Sequence, residues 1–305
     1  MISVVIPLYN KEALVGRTLE SVLAQSYRDF EVVVVDDGSR DGSAAVVESF
    51  DDPRIRLIRQ ANAGVSAARN RGIAESRGEF IALLDADDIW RENYLQTQFE
   101  LTQKYTQCDV FATNYCFCNS KGVERATIIR KLPFDGEDGI LTNYFEVASC
   151  SHPPLWTSAV MMRKGAIESI GGFPVGIKSG EDLITWARLA VNYKIAYSRR
   201  VSATFIVDSL LKNDDQRQRF PGKQDFVGEE LKNLRQYKPK GLNAYISLWH
   251  KMRCRILLCK HCRGLAIKEA LISLRYKPSI KTFIFLTMAL LPNRLSDYIF
   301  KKYVS

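Results

Sequence analysis

Residues 31–43 read EVVVVDDGSRDGS, four consecutive valines running into two aspartates and a turn of glycine and serine. A β-branched run without polar alternation suits a strand buried on both faces, as in a parallel sheet. Because that strand, Glu31–Val35, stops on Asp36 and Asp37, it delivers two carboxylates to its carboxyl end. Open α/β sheets bind their ligands at that end. The pattern repeats on either side. Ser3–Pro7 reads as a second buried strand, and Lys11–Ser26 between the two carries Leu14, Leu19, Val22 and Leu23 at helical spacing. Ser43–Phe50 reads as helix, Ile55–Arg59 as strand, Val65–Ser76 as helix and Phe80–Leu84 as strand. This alternation predicts an α/β fold, a mostly parallel sheet flanked by helices and Rossmann-like in its first half.

The pattern weakens beyond Cys108. Val110–Phe117 and Val123–Ile129 read as strands and Leu183–Val191 as helix, after a loop punctuated by Gly171, Gly172, Gly176 and Gly180. The character changes after about Leu210. Asn243–Arg263 reads as a helix with Tyr245, Trp249, Met252 and Ile256 on its apolar face and its basic residues elsewhere, and Pro278 and Pro292 bracket a further apolar helix. Two regions are expected, 1–205 as the catalytic domain and 206–305 as a basic helical region.

Composition agrees. The 305 residues are 46% hydrophobic and 25% charged, ordinary for a globular chain. The net charge of +9 is uneven: from Phe205 to Ser305 there are 20 Lys+Arg against 8 Asp+Glu. The seven cysteines are odd in number and do not suggest a disulfide framework. Cys259–Cys262 spells CKHC, but no second pair follows, so no zinc site is expected. Met1 leads directly into a strand-like run without a basic, apolar leader, which predicts a cytoplasmic protein, free or peripheral on the cytosolic face of a membrane.

Three acidic clusters carry the chemistry. Asp36 and Asp37 suit the N–H and hydroxyl groups of a nucleoside, against the alternative of a turn that caps the next helix. Asp85-Ala86-Asp87-Asp88 emerges from an apolar strand, and three carboxylates so close repel unless a cation joins them. Oxygen ligands of this kind suit Mg²⁺ or Mn²⁺. Glu181-Asp182 opens a helix; a carboxylate there serves as a general base or simply complements the helix dipole. No GxGxxG or GxxxxGK[ST] loop occurs, which excludes ordinary dinucleotide and P-loop enzymes.

Five segments in order, SVVIPLYN from Ser3, DDGSRDGS from Asp36, NAGVSAARNRG from Asn62, GEFIALLDADDIW from Gly78 and GEDLITWARLA from Gly180, together resemble the inverting family 2 glycosyltransferases of the GT-A fold. The resemblance covers about residues 1–200. It implies a nucleotide-sugar site in which Pro7, Tyr9 and Asp37, with Asp36 beside them, line the base pocket and Arg69 and Asn70 border base and diphosphate. It implies Asp87 as a ligand of Mn²⁺ or Mg²⁺, Asp85 as a ligand of ribose or of the metal, Asp182 as catalytic base with Glu181 as its alternative, and Trp186 and Arg188 on the acceptor side. The donor implied is UDP-linked, and the acceptor a glycan or lipid-linked hydroxyl. Arg91-Glu92 stand where relatives often carry proline, and the QxxRW segment of processive members is absent, which predicts one sugar per event. The alternatives are a nucleotidyltransferase, which would show a glycine-rich basic loop where this chain has PLYNKEA, and an inactive sugar-nucleotide-binding protein. For the basic region two readings stand, a surface that docks on anionic membrane or helices that only pack with solvated charges; no nucleic-acid motif is present.

Overall fold

The computed structural model describes residues 1–207, 221, 224–292 and 295–296. The chain divides into two compact units, Met1–Lys212 and Asn213–Ser305. The expected boundary at 205/206 falls inside a strand that runs to Val207, and the change of character after Leu210 lies outside the described residues.

In the first unit the chain runs β1 (Ile2–Leu8), α1 (Glu12–Leu23), β2 (Phe30–Asp36), α2 (Ser43–Glu48), β3 (Ile55–Arg59), α3 (Val65–Glu75) and β4 (Phe80–Leu83). All four strands are parallel, in the order β3-β2-β1-β4. The valine run behaves as its composition demands: every residue of β2 is buried, and β1 is buried except at Pro7. A fully buried valine contributes about 1.5–3 kcal/mol, so this central pair is the anchor of the sheet. Helix α3 lies close against it because Gly72 has no side chain; a Cβ there would meet Val5 Cγ1 at 2.4 Å. The chain passes β1→β2→β3 to one side and then returns to place β4 on the other side of β1. Such a reversal opens a crevice at the carboxyl ends of the strands.

The second half of the unit holds β5 (Ile89–Trp90), α4 (Tyr94–Lys104), β6 (Val110–Asn119), β7 (Glu124–Ala126), β8 (Asp138–Ile140), α5 (Tyr144–Cys150), β9 (Val160–Arg163), α6 (Lys164–Ser169), α7 (Glu181–Asn192) and β10 (Ile195–Val207). Strand β9 runs antiparallel between β4 and β6, and β10 pairs parallel with β6, so one sheet continues through β4-β9-β6-β10-β5. The core runs through both halves, from Val4, Val32 and Val34 to Phe111, Tyr115 and Met161.

The second unit is helical: α8 (Phe226–Asn233), α9 (Leu242–Cys259), α10 (Arg263–Tyr276) and α11 (Ile280–Leu290). Cys254, Leu257 and Leu258 of α9, Ala266 and Ala270 of α10, and Phe285, Met288 and Ala289 of α11 form its core. The helix expected over Asn243–Arg263 ends at Cys259, and His261 takes a left-handed φ of 56°. Its apolar face also differs from expectation. Met252 is exposed, while Arg253 is buried between Glu269, 2.8 Å from its Nε, and Asp225, 3.5 Å from Nη1. Two carboxylates neutralise a cation that hydropathy alone would have placed outside. His250 Nδ1 lies 2.6 Å from Glu269 and 3.7 Å from Asp225, and Asp225 also caps α8 by accepting from Gly228 N. Asp225, His250 and Glu269 come close enough together for a metal. With Arg253 already set against both carboxylates, the group is an ion-pair network that ties three helices.

Candidate active site

The loops after β1 and β2 interlock at the sheet's carboxyl rim. Asn10 N donates to Ser39 Oγ (3.0 Å), Arg40 N to Asn10 Oδ1 (2.8 Å), Lys11 N to Ser43 Oγ (2.7 Å) and Gly42 N to Glu12 Oε2 (2.9 Å). Gly38 turns this corner at φ 75°, where a side chain would be strained. Pro7 and Tyr9 sit half-buried at the end of β1. The two aspartates of β2 do different work. Asp36 Oδ1 accepts from Ser39 N at 3.0 Å and holds its own turn. Asp37 accepts from Gln60 Nε2 (2.7 Å), Ala63 N (2.9 Å) and Gly64 N (2.8 Å), so it fixes the segment that leads into α3. The turn role of the alternative reading is thus shared by Asp36 and by Asp41, which accepts from Ser43 N at 3.0 Å just before α2.

The acidic cluster after β4 splits in two. Asp85 and Asp87 stay partly open to solvent, and each is held through one oxygen by a cation. Arg69 Nη2 lies 2.8 Å from Asp85 Oδ1, and Lys11 Nζ lies 2.7 Å from Asp87 Oδ2. Asp88 turns inward and is fully buried, accepting from Ser158 Oγ at 2.5 Å and from Ile206 N at 3.2 Å. Burial, with Asp85 and Asp87 nearby, pushes its carboxyl well above the usual range. A shift in that direction eases the repulsion among three carboxylates so close together. Helix α1 pins the loop from below: the buried Thr18 hydroxyl lies 3.0 Å from Ala86 O and 2.9 Å from Asp88 O. The two outward carboxylates fit a divalent ion. Both offer hard oxygen atoms, and among the described residues neither Asp85 Oδ2 nor Asp87 Oδ1 takes a hydrogen bond. Two protein ligands leave positions for water and phosphate oxygens, the usual arrangement for Mg²⁺ at a nucleotide.

Across the rim, Gly180 at φ 85° starts α7 and brings Glu181 and Asp182 into its first turn. Glu181 is buried, and its Oε1 lies 3.9 Å from Arg69 Nη1; Asp182 is half-buried. Arg69 is therefore the link between the two acidic clusters. Burial works against its charge, but Asp85, Glu181 and Asp182 outweigh that cost and raise its pKa. Its Nε and Nη1 have no hydrogen-bond partner among the described residues. Both atoms are shut off from solvent, so what Arg69 offers a neighbouring anion is its charge rather than these two donors.

Two of the expected residues have other surroundings. Asn70 spends both ends of its amide on Phe173, donating to its carbonyl at 2.7 Å and accepting from its N–H at 2.8 Å. That clamps the Gly171-Gly172-Phe173 loop, and Phe173 in turn lies under the Arg69 guanidinium, 5.1 Å from ring centroid to Cζ. Trp186 is 2% exposed and packs edge-on against Phe173, so it belongs to the core and not to an open acceptor side. Arg188, about two turns into α7, is half-buried.

Lys11, Ser158 and Phe173 were not singled out from sequence. Lys11 and Ser158 meet the acidic loop from 76 and 73 residues away, with Ser158 Oγ accepting from Asp85 N at 3.1 Å, and no local pattern announces such pairs. A cavity of about 630 Å³, lined by Arg77, Glu79, Asp109, Arg163 and Lys164, lies at the opposite, amino-terminal end of the strands and holds none of the expected residues. Among its charges Arg163 is paired with Glu79 and Asp109, and Lys164 with Glu168.

Comparison with known proteins bears on the same region. The family model described as glycosyl transferase family 2 matches residues 3–171. Glycosyltransferase GlyG of Streptococcus pneumoniae is 39% identical over 118 residues, 38% of this chain and 39% of the relative. The Escherichia coli UDP-Glc:alpha-D-GlcNAc-diphosphoundecaprenol beta-1,3-glucosyltransferase WfgD is 36% identical over 124 residues, 40% of this chain and 49% of the relative. The chain spans less than half the length of these curated relatives. Among solved structures, S. aureus TarS 1–349 in complex with UDP-GlcNAc superimposes with a TM-score of 0.67 at 18% identity, covering 100% of this chain and 93% of that one. The mannosyltransferase PcManGT from Pyrobaculum calidifontis, in complex with GDP-Man and Mn²⁺, gives 0.58 at 19% identity, covering 99% and 87%. These two share the fold, a mostly parallel sheet flanked by helices.

Proposed function

The chain belongs to glycosyl transferase family 2, and from that premise we propose that it moves one sugar per event from a nucleotide-sugar donor, UDP-linked, to a hydroxyl of a glycan or lipid-linked acceptor. The observation that carries this reading is Arg69, a buried cation between Asp85 at the carboxyl rim of β4 and Glu181 in the first turn of α7. It brings the metal-binding and base clusters to one crevice, and its positive charge favours a diphosphate bound there.

Pro7, Tyr9, Asp36 and Asp37 shape the nucleoside end, Asp37 by holding the 60–64 segment in place. Asp87 and Asp85 hold Mn²⁺ or Mg²⁺, whose charge opposes the negative charge that develops on the departing diphosphate. Lys11 and Arg69 keep these two carboxylates oriented. Asp182 takes the proton of the acceptor hydroxyl as the new bond forms. Of the two acids, Asp182 is the more open and Glu181 is turned to Arg69, which supports Asp182 as base. A single base acting opposite the leaving group makes the transfer a direct displacement with inversion. The name of WfgD, which states a UDP-Glc donor and a diphosphoundecaprenol acceptor, supports UDP and a lipid-linked acceptor.

The test is a panel of nucleotide sugars offered with Mn²⁺, with nucleoside diphosphate release and melting temperature measured together. One UDP-sugar should be turned over, and chelation should stop the turnover. At donor concentrations near 100 times Kd, the donor should stabilise the protein by about 2.7 kcal/mol. Release of sugar 1-phosphate instead, the leaving group when an acceptor attacks the α-phosphorus, would point to nucleotidyl transfer. A panel that neither turns over nor stabilises the protein would overturn the proposal.

A further inference from the structure

Helix α11 has two apolar faces, and only one of them is used in the fold. Thr282, Phe285, Met288 and Ala289 are buried, the last three in the core formed with α9 and α10. On the other side Ile280 is 82% exposed, Phe283 53%, Ile284 40% and Leu290 62%. These positions follow the spacing of a single stripe along one side of the helix. Thr287 completes the stripe and turns its hydroxyl back to the Phe283 carbonyl at 3.1 Å, which makes even that position less polar. A helix that only packs on a core turns polar residues to water on this side.

The charge around the stripe has one sign. No acidic residue occurs between Ala270 and Arg294. Lys277 and Lys281 flank the start of α11, and Lys251 on α9 is close enough to both that they, together with burial, push its pKa down. Two acids of this unit, Asp225 and Glu269, are committed to Arg253 and His250. α11 has 11 residues, about 16 Å of helix, and no helix among the described residues is long and apolar enough to cross a membrane.

We propose that the outward stripe of α11 lies in the interface of an anionic bilayer, with Ile280, Phe283, Ile284 and Leu290 among the acyl chains and Lys251, Lys277 and Lys281 at the lipid phosphates. An apolar stripe edged by unopposed lysines is the pattern of a helix that lies in a membrane surface. A second copy of the chain fits it less well, because a two-fold contact brings the same patch, and so the same three lysines, against itself. Anionic headgroups remove that repulsion. The inference goes beyond the donor chemistry and does not depend on it.

The experiment is flotation of the full chain with vesicles of 30 mol% phosphatidylglycerol in phosphatidylcholine, with pure phosphatidylcholine as the comparison. The protein should float with the anionic vesicles at low salt and much less with the neutral ones. The double substitution Phe283→Ser with Ile284→Ser should cut the bound fraction about tenfold or more, since both side chains lose acyl burial. Both side chains are exposed, so the melting temperature should stay within a degree or two of the parent, separating lost docking from lost folding. Lys277→Ala and Lys281→Ala should each weaken binding to the anionic vesicles about fivefold, and hardly at all to neutral ones. As an independent readout, Phe283→Trp should shift its emission to the blue when anionic vesicles are added. Failure to float at low salt, or an unchanged bound fraction for the serine pair, would overturn the proposal. So would sedimentation showing a dimer that the serine pair dissolves while vesicle binding is absent, because the stripe would then be an interface between copies.

Discussion

Arg69 shows at the scale of one residue how this site is held. It is nearly out of contact with water, so its charge survives only because Asp85, Glu181 and Asp182 surround it. Asp182 and Glu181 are neighbours in sequence but not in role, and substitution should separate them. Asp182→Asn is expected to lower kcat by about 10²–10⁴-fold with donor affinity nearly unchanged. Glu181→Gln is expected to act through Arg69, lowering the melting temperature and donor affinity together. Steady-state kinetics with donor titration checks both, and normal turnover in Asp182→Asn would remove it as base. Asp88 allows a test by pH. Its folded pKa is raised, so the folded chain binds that proton more tightly than the unfolded chain. Asp88 therefore costs stability progressively as pH rises from the ordinary aspartate value, about 3.9, toward the raised one. Asp88→Asn carries no such term, so its melting temperature relative to the parent should rise between pH 4 and pH 8; a constant difference would show that Asp88 is ionised in the fold. Asp85 and Asp87 were legible in sequence because strand and carboxylates are adjacent in the chain. The clamp of Asn70 on Phe173 was not, because its two halves are 103 residues apart.

Among the elements, legibility followed burial pattern. β1, β2 and β4 are apolar throughout and stand out from helices with a polar face. β10 does not: Arg199 and Arg200 interrupt it with exposed charge, and its register against β6 shifts between Ser198 and Ala203. β9 is four residues long, too short for any period to show. In the helical unit, α9 was visible but its buried face was misread at Arg253, because the partner that pays for that burial, Glu269, lies on the next helix. The same network yields a stability prediction. Although burial alone would raise it, hydrogen bonds from His250 and Arg253 hold the Glu269 pKa below its ordinary value. Its contribution is therefore present above about pH 4.3 and is lost as pH falls through the folded value. Glu269→Gln leaves Arg253 and His250 buried with less compensation and should cost about 3 kcal/mol or more at neutral pH. The deficit should shrink as the pH drops below about 4, which thermal unfolding followed by circular dichroism at several pH values would show; a deficit independent of pH would mean that packing, not charge, is what the glutamate supplies.

For the whole molecule, the two chemistries read here have footprints on different parts of the chain, and one measurement can map both. A nucleotide and its divalent ion contact the rim built from the ends of β1, β2 and β4, so UDP with Mn²⁺ should slow amide exchange in segments 9–12, 36–43, 60–64 and 85–88. These are loops whose backbone groups are held by few side chains, such as Asp37, Ser39 and Thr18, and loops of this kind open at low cost until a ligand closes them. Anionic vesicles should instead protect the residues around α11, where apolar side chains are exposed and lysines are unopposed. Hydrogen exchange read by mass spectrometry, with each ligand added alone, should give two sets of protected peptides that do not overlap. Protection by UDP of residues 77–79, 109 and 163–168 would move the nucleotide to the cavity at the opposite end of the sheet and with it the whole assignment of Asp85, Asp87 and Asp182. Protection of α11 by UDP alone would mean that the stripe answers to the nucleotide and not to lipid. Only the separated pattern is consistent with a sugar donor bound at the rim of the sheet and a membrane met by α11.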